Sequence, residues 1–227
     1  MAKRAGTINA TTGAAAAVAD LKRLSTRKDW DNLERFGIVT TKALGVSMAN
    51  IQKVAKPLGR NHALAEALWQ TGWYEARMLA SLVDEPDRVT PAQMDRWCND
   101  FDNWGICDTV CFKLFDQVPH AFAKVTKWSA SKHEFVKRGA FALLASLALH
   151  DKPATDAAFL KTLPLIERAA TDDRNFVKKG VSWALRAIGH RSAKLRNAAL
   201  ETAERLAASA HPAARWIGRD TLKDLRR

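Results

Sequence analysis

Apolar positions recur every three to four residues along almost the whole chain, and the strict alternation that marks a strand is nearly absent. This pattern predicts helices at 13–25, 29–37, 48–57, 62–70, 72–83, 91–98, 103–116, 119–126, 133–149, 154–169, 174–189, 192–209 and 212–225. The boundaries carry matching punctuation. Thr90-Pro91-Ala-Gln93 reads as a capping box with proline at the first helical position. Asn103 suits the cap of the following helix, and Pro153 and Pro212 mark two further breaks. The first dozen residues are small and polar, which predicts a flexible arm over 1–12 and one helical domain over 13–227.

The helices come in pairs joined by short turns, and the pairs repeat. Phe135-Val-Lys-Arg138-Gly-Ala-Phe-Ala142 matches Phe176-Val-Lys-Lys179-Gly-Val-Ser-Trp183 at a shift of 41 residues. Pro212-Ala-Ala-Arg215-Trp-Ile-Gly reads as a decayed third copy. A period near 40 residues with two helices per repeat describes an all-α fold, an α-solenoid of HEAT-like antiparallel helix pairs. In such arrays the second helix of each pair lines the concave side. Here those helices carry Lys137, Arg138, Lys178 and Lys179 near their starts, where free N–H groups also favour anions. The fold is therefore expected to present a concave basic face.

Charge sharpens this picture. The chain of 227 residues has a formal net charge of +12. From residue 128 onward there are 19 Lys and Arg against 10 Asp and Glu, a net +9; residues 1–127 hold 17 against 14, a net +3. A basic excess on this scale points to a polyanion, above all nucleic acid. Lysines that only solvate helix surfaces are the plain alternative. The longest apolar run, Ala140–Leu149, is too short to span a membrane. The three cysteines fit a reducing compartment, so a cytoplasmic, nucleoid-associated location is expected, with no membrane partner. Nothing in the sequence suggests an oligomer, and a monomer is expected.

One acidic stretch stands out against this basic background. Asp100-Phe-Asp-Asn-Trp104-Gly-Ile-Cys-Asp108 places Trp104 and Asp108 one helical turn apart on the same face. A carboxylate repels DNA phosphate, so inside a positive groove it needs a reason. Stabilising a cationic sugar while a purine departs is one such reason. Core packing of the ring and a salt bridge for the acid are the bland reading. Trp183 and Arg186 form a second pair, three apart on one face, and Trp183 has only Ala142 as its repeat counterpart. Cys98, Cys107 and Cys111 lack a fourth ligand for zinc or an iron–sulfur cluster. The six histidines are scattered, and no phosphate-binding, dinucleotide or serine-nucleophile motif occurs. No metal and no cofactor are expected.

Four stretches together are recognisable. They are Gly45-Val-Ser-Met-Ala-Asn-Ile-Gln-Lys-Val-Ala-Lys56, Leu68-Trp69 with Glu75-Ala-Arg77-Met-Leu-Ala80, Asp102-Asn-Trp104-Gly-Ile-Cys-Asp108, and Phe176-Val-Lys-Lys-Gly-Val-Ser-Trp183-Ala-Leu-Arg186. On these the chain resembles the bacterial AlkD-type DNA alkylation repair glycosylases, built from HEAT-like repeats. The resemblance implies excision of cationic N-alkylated purines, 7-alkylguanine and 3-alkyladenine, from double-stranded DNA containing alkylated bases, without base flipping. It implies Asp108 as the catalytic aspartate, Trp104 and Trp183 as the tryptophans flanking the lesion's deoxyribose, and Arg138 and Arg186 as backbone contacts. Two alternatives stay open. One is a non-catalytic HEAT-repeat protein that binds damaged or branched DNA; the other is a protein-interaction solenoid.

Overall fold

A computed structural model describes residues 9–227. The expected arm over 1–12 lies outside the described residues as far as residue 8, and Ala10–Thr12 already belong to the first helix. Among the described residues there are α-helices and two short 3-10 turns, and no strand. No described helix is long and apolar enough to cross a membrane. The described helices cluster into two compact units, which meet in sequence between Val89 and Thr90.

The first unit holds α1 (Ala10–Arg23), α2 (Arg27–Arg35), α3 (Met48–Leu58), α4 (His62–Gln70) and α5 (Tyr74–Val83). Four of these pack together: α1 on α3 and α4, and α5 on α3 and α4. The loop entering α3 is tied down from inside. Glu75, fully buried, accepts the backbone N–H groups of Leu44, Gly45 and Val46 at 2.8, 2.7 and 3.2 Å. Gly45 sits at φ +77°, and a Cβ there would meet Trp30 at 3.0 Å, so only glycine fits.

The second unit holds α6 (Pro91–Asn99), α7 (Trp104–Lys113), α8 (Ala121–Ser129), α9 (Glu134–His150), α10 (Asp156–Leu160), α11 (Leu163–Ala169), α12 (Asn175–Gly189), α13 (Ala193–Ala207) and α14 (Pro212–Leu225). They form two layers. In one, α7, α9, α12 and α14 pack in succession; in the other, α6, α8, α11 and α13 do the same. Short connections make the members of each pair antiparallel. The layers meet closely enough that a Cβ on Gly218 of α14 would lie 2.3 Å from the Ala207 nitrogen of α13. Phe135 and Phe176, equivalent in the sequence repeat, bring their rings within 5.3 Å.

The helix expected over 154–169 is in fact two. Pro164 lacks an N–H and its ring would collide with the carbonyl one turn back, so the chain breaks at Lys161-Thr162 and restarts as α11. The helix expected over 103–116 ends at Lys113, and a 3-10 turn at Phe115–Gln117 follows.

Candidate active site

α7 begins where its cap fixes it. The buried Asn103 side chain accepts the Ile106 N–H at 3.0 Å. That puts Trp104 at the first helical position and Asp108 one turn later on the same face. The flank of α7 that packs on α9 also carries Cys107 and Cys111, whose thiols point at the Phe135 and Gly139 carbonyl oxygens of α9 at 3.7 and 3.6 Å. Burial pushes both thiols above the ordinary cysteine value, so they act as packing groups rather than nucleophiles.

Asp108 meets Arg138 of α9 through two parallel bonds. Nε donates to Oδ1 at 2.8 Å and one terminal nitrogen donates to Oδ2 at 2.6 Å. The other terminal nitrogen donates to the Phe176 carbonyl oxygen of α12 at 2.8 Å. The guanidinium thus links three helices, and all its nitrogens are committed. Arg138 is 8% exposed and Asp108 21%, so the solvent-facing part of the pair is the acid. Burial holds the Asp108 carboxyl above its ordinary value, against the pull of the two Arg138 bonds. Burial alone would lower Arg138; its bonds to Asp108 more than reverse this and hold it firmly protonated.

These side chains face a trough of about 440 Å³. Its lining comprises Trp104 and Asp108 from α7, Arg138 from α9, Lys179, Trp183 and Arg186 from α12, and Trp216 and Asp220 from α14. Three cations and two carboxylates therefore share one concavity with three indoles. Arg186 lies 3.5 Å from Asp220 and 3.7 Å from Asp224. Asp220 also accepts the Ser182 hydroxyl at 2.6 Å. Trp183 stacks on Phe112 of α7, centroids 6.5 Å apart and planes 21° apart.

Of the residues singled out from sequence, Trp104, Asp108, Trp183, Arg138, Lys179 and Arg186 converge on the trough. Lys137 and Lys178 do not line it. Lys137 is held by Asp172 at 2.9 Å, and Lys178 stands over the Trp216 ring at 4.9 Å. Three further residues escaped the sequence reading: Phe112, Trp216 and Asp220. For the last two the signal was present, because 216 and 220 are one turn apart on a helix whose start already read as a decayed repeat.

The sequence pattern of the family described as DNA alkylation repair enzyme matches residues 17–225. The chain belongs to this family. No sequence among curated proteins matches it. Among solved structures, the fold of this DNA alkylation repair family member is similar to that of a protein from a family related to the HEAT-like repeat DNA glycosylases, with affinity for branched DNA structures. The TM-score is 0.76 at 18% identity, covering 92% of this chain and 94% of that one. A designed armadillo repeat protein matches at 14% identity over 93% and 92% of the two chains with a TM-score of only 0.39. The all-α, HEAT-like repeat architecture expected from the 41-residue period is the one observed.

Proposed function

We propose that this family member is a DNA glycosylase that excises cationic N-alkylated purines, such as 7-alkylguanine and 3-alkyladenine, from duplex DNA. The reading is carried by one observation: the Asp108 carboxylate opens into a cationic trough that it shares with Trp104 and Trp183. Alkylation at a ring nitrogen makes the purine positively charged and already a good leaving group. When the C1′–N bond breaks, its electron pair moves onto the base and neutralises it, and positive charge develops on the sugar as an oxocarbenium-like centre. No general acid is needed. A carboxylate fixed beside C1′ stabilises that charge and orients the water that adds to C1′, whose surplus proton passes to solvent.

Arg138 fits a positioning role for Asp108 better than a direct phosphate contact. Its paired bonds fix the carboxylate plane, and each oxygen keeps a further lone pair for water or the sugar. The indoles offer electron-rich faces to the cationic sugar and base, worth roughly 0.5–2 kcal/mol each. Lys179 and Arg186 supply phosphate contacts at the rim. An open trough suits attack on a stacked lesion better than capture of a flipped base, which calls for a snug pocket. The test is release of free 7-methylguanine from methylated duplex DNA by the wild-type protein.

A second reading is non-catalytic binding of damaged or branched DNA through the same trough. It is favoured by the two hydrogen bonds from Arg138, which place a guanidinium charge directly on the Asp108 carboxylate and offset its negative charge in the free protein. Salt-dependent DNA binding with no base release would select it.

A further inference from the structure

Trp216 is a large apolar side chain left 39% exposed on a strongly basic protein. Besides lining the trough, it lines a second concavity of about 470 Å³ along α14, together with Pro212, Arg215, Arg219, Asp220 and Lys223. Arg215, Arg219 and Lys223 recur every four residues and so form one basic stripe. Arg215 is partly committed to the Ser209 and Ala210 carbonyl oxygens at 3.1 and 2.6 Å. Arg219 and Lys223 are exposed. The negative charge of Asp220 is answered by the Ser182 hydroxyl and Arg186, so it does not set the sign of this cleft.

Lys178 stands over one face of the indole at 4.9 Å, and the part left exposed, beside Arg219 and Lys223, matches the two halves of a nucleotide: a flat base and a phosphate. In an intact duplex the face of each base is covered by its neighbours. Only an unpaired or terminal base can lie flat on an indole. The cleft also has the volume of a small-ligand site. We propose that this cleft binds one unpaired nucleotide of a DNA strand, its base stacked on Trp216 and its phosphate held by Arg219 and Lys223. The inference rests on the DNA-binding part of the proposed function and not on the excision chemistry.

The experiment compares the affinity of the full chain for three undamaged DNAs: a blunt duplex, the same duplex with a short single-stranded extension, and that duplex with an abasic extension of equal length. Wild type is expected to bind the extended duplex about tenfold tighter than the blunt one, and the abasic extension is expected to give little of that gain. Trp216→Ala should abolish the gain and Trp216→Phe should keep most of it. A combined Arg219→Gln and Lys223→Gln variant should reduce the gain while keeping its dependence on a base, a second route to the same site. Circular dichroism checks that each variant is folded. Equal affinity of wild type for blunt and extended DNA overturns the inference, as does a full gain that survives in Trp216→Ala or with the abasic extension. Binding and excision of blunt methylated duplex without any gain from the extension would remove this inference alone. Loss of all DNA binding by wild type would remove the proposed function with it.

Discussion

Trp183 of α12 stacks on Phe112 of α7, although the helix that packs against both is α9. The contact ties the indole to α7, and Trp183 also lines the trough. Phe112 in turn meets the His150 ring edge-on at 4.2 Å, so the support is itself held.

Removing that support should slow excision without removing a group that touches DNA. Aromatic pairs contribute about 0.5–1.5 kcal/mol beyond their buried area, so Phe112→Ala should reduce the single-turnover rate by about 2- to 10-fold. Phe112→Tyr should keep the rate near wild type. Single-turnover kinetics on a defined 7-methylguanine duplex decide between these outcomes.

The Asp108–Arg138 pair makes a stability claim. Taking one partner from a buried ion pair leaves the other uncompensated, at a cost of about 3–5 kcal/mol. Arg138→Ala should therefore lower stability markedly in urea unfolding. Adding Asp108→Asn to it should restore part of the loss, because the orphaned charge is gone. Simple additivity of the two changes would contradict the pairing.

Much of this architecture was legible beforehand. Apolar periodicity and caps such as Thr90 and Asn103 are local, so helix positions read off directly. The split at Pro164 was also local, but the longer apolar pattern across 154–169 masked it. The convergence of Trp104, Asp108 and Trp183 was expected from family resemblance, since W-x-x-x-D alone describes many core helices. The Asp108–Arg138 pairing joins residues 30 positions apart on separate helices, and its geometry depends on how α7 and α9 are rotated against each other. No spacing rule encodes that rotation. The same holds for Lys137, which a linear reading offers to phosphate and the fold gives to Asp172.

Asp95 supplies a test of acid stability. Burial alone would raise its carboxyl. The bonds from Lys124 and Lys127, at 2.7 and 2.8 Å, and from the Trp128 indole, also at 2.8 Å, outweigh burial and bring it down to about 2. A depressed acid contributes stability above its ordinary value of 3.8 and loses it as pH falls through about 2. The contribution at neutral pH is about 2 kcal/mol. Asp95→Asn should lower stability by that order at pH 7 and by little near pH 2, as followed by thermal melts across that range.

Phosphate contact should appear in the salt dependence. Lys179 lines the trough, so Lys179→Gln should flatten the slope of log affinity against log salt by about one. Lys137, held by Asp172, should change the slope less when replaced by Gln. Titrations at several salt concentrations on one duplex compare the two.

The ionisation of Asp108 should govern the acid side of catalysis. Its carboxyl is held above 3.8, and the reaction uses the carboxylate. Enzymatic excision should therefore fall as pH drops through a value above 3.8, after correction for spontaneous base loss. Asp108→Asn should show no such fall in its residual rate.

The most direct measurement is the rate of 7-methylguanine release from duplex DNA by wild type beside Asp108→Asn, with duplex affinity measured on the same preparations. Release by wild type, a drop of about 10²- to 10³-fold in the variant and similar affinity for both are the expected results. Equal release by the two proteins, or none by a wild type that binds the duplex, would contradict the role given to this carboxylate.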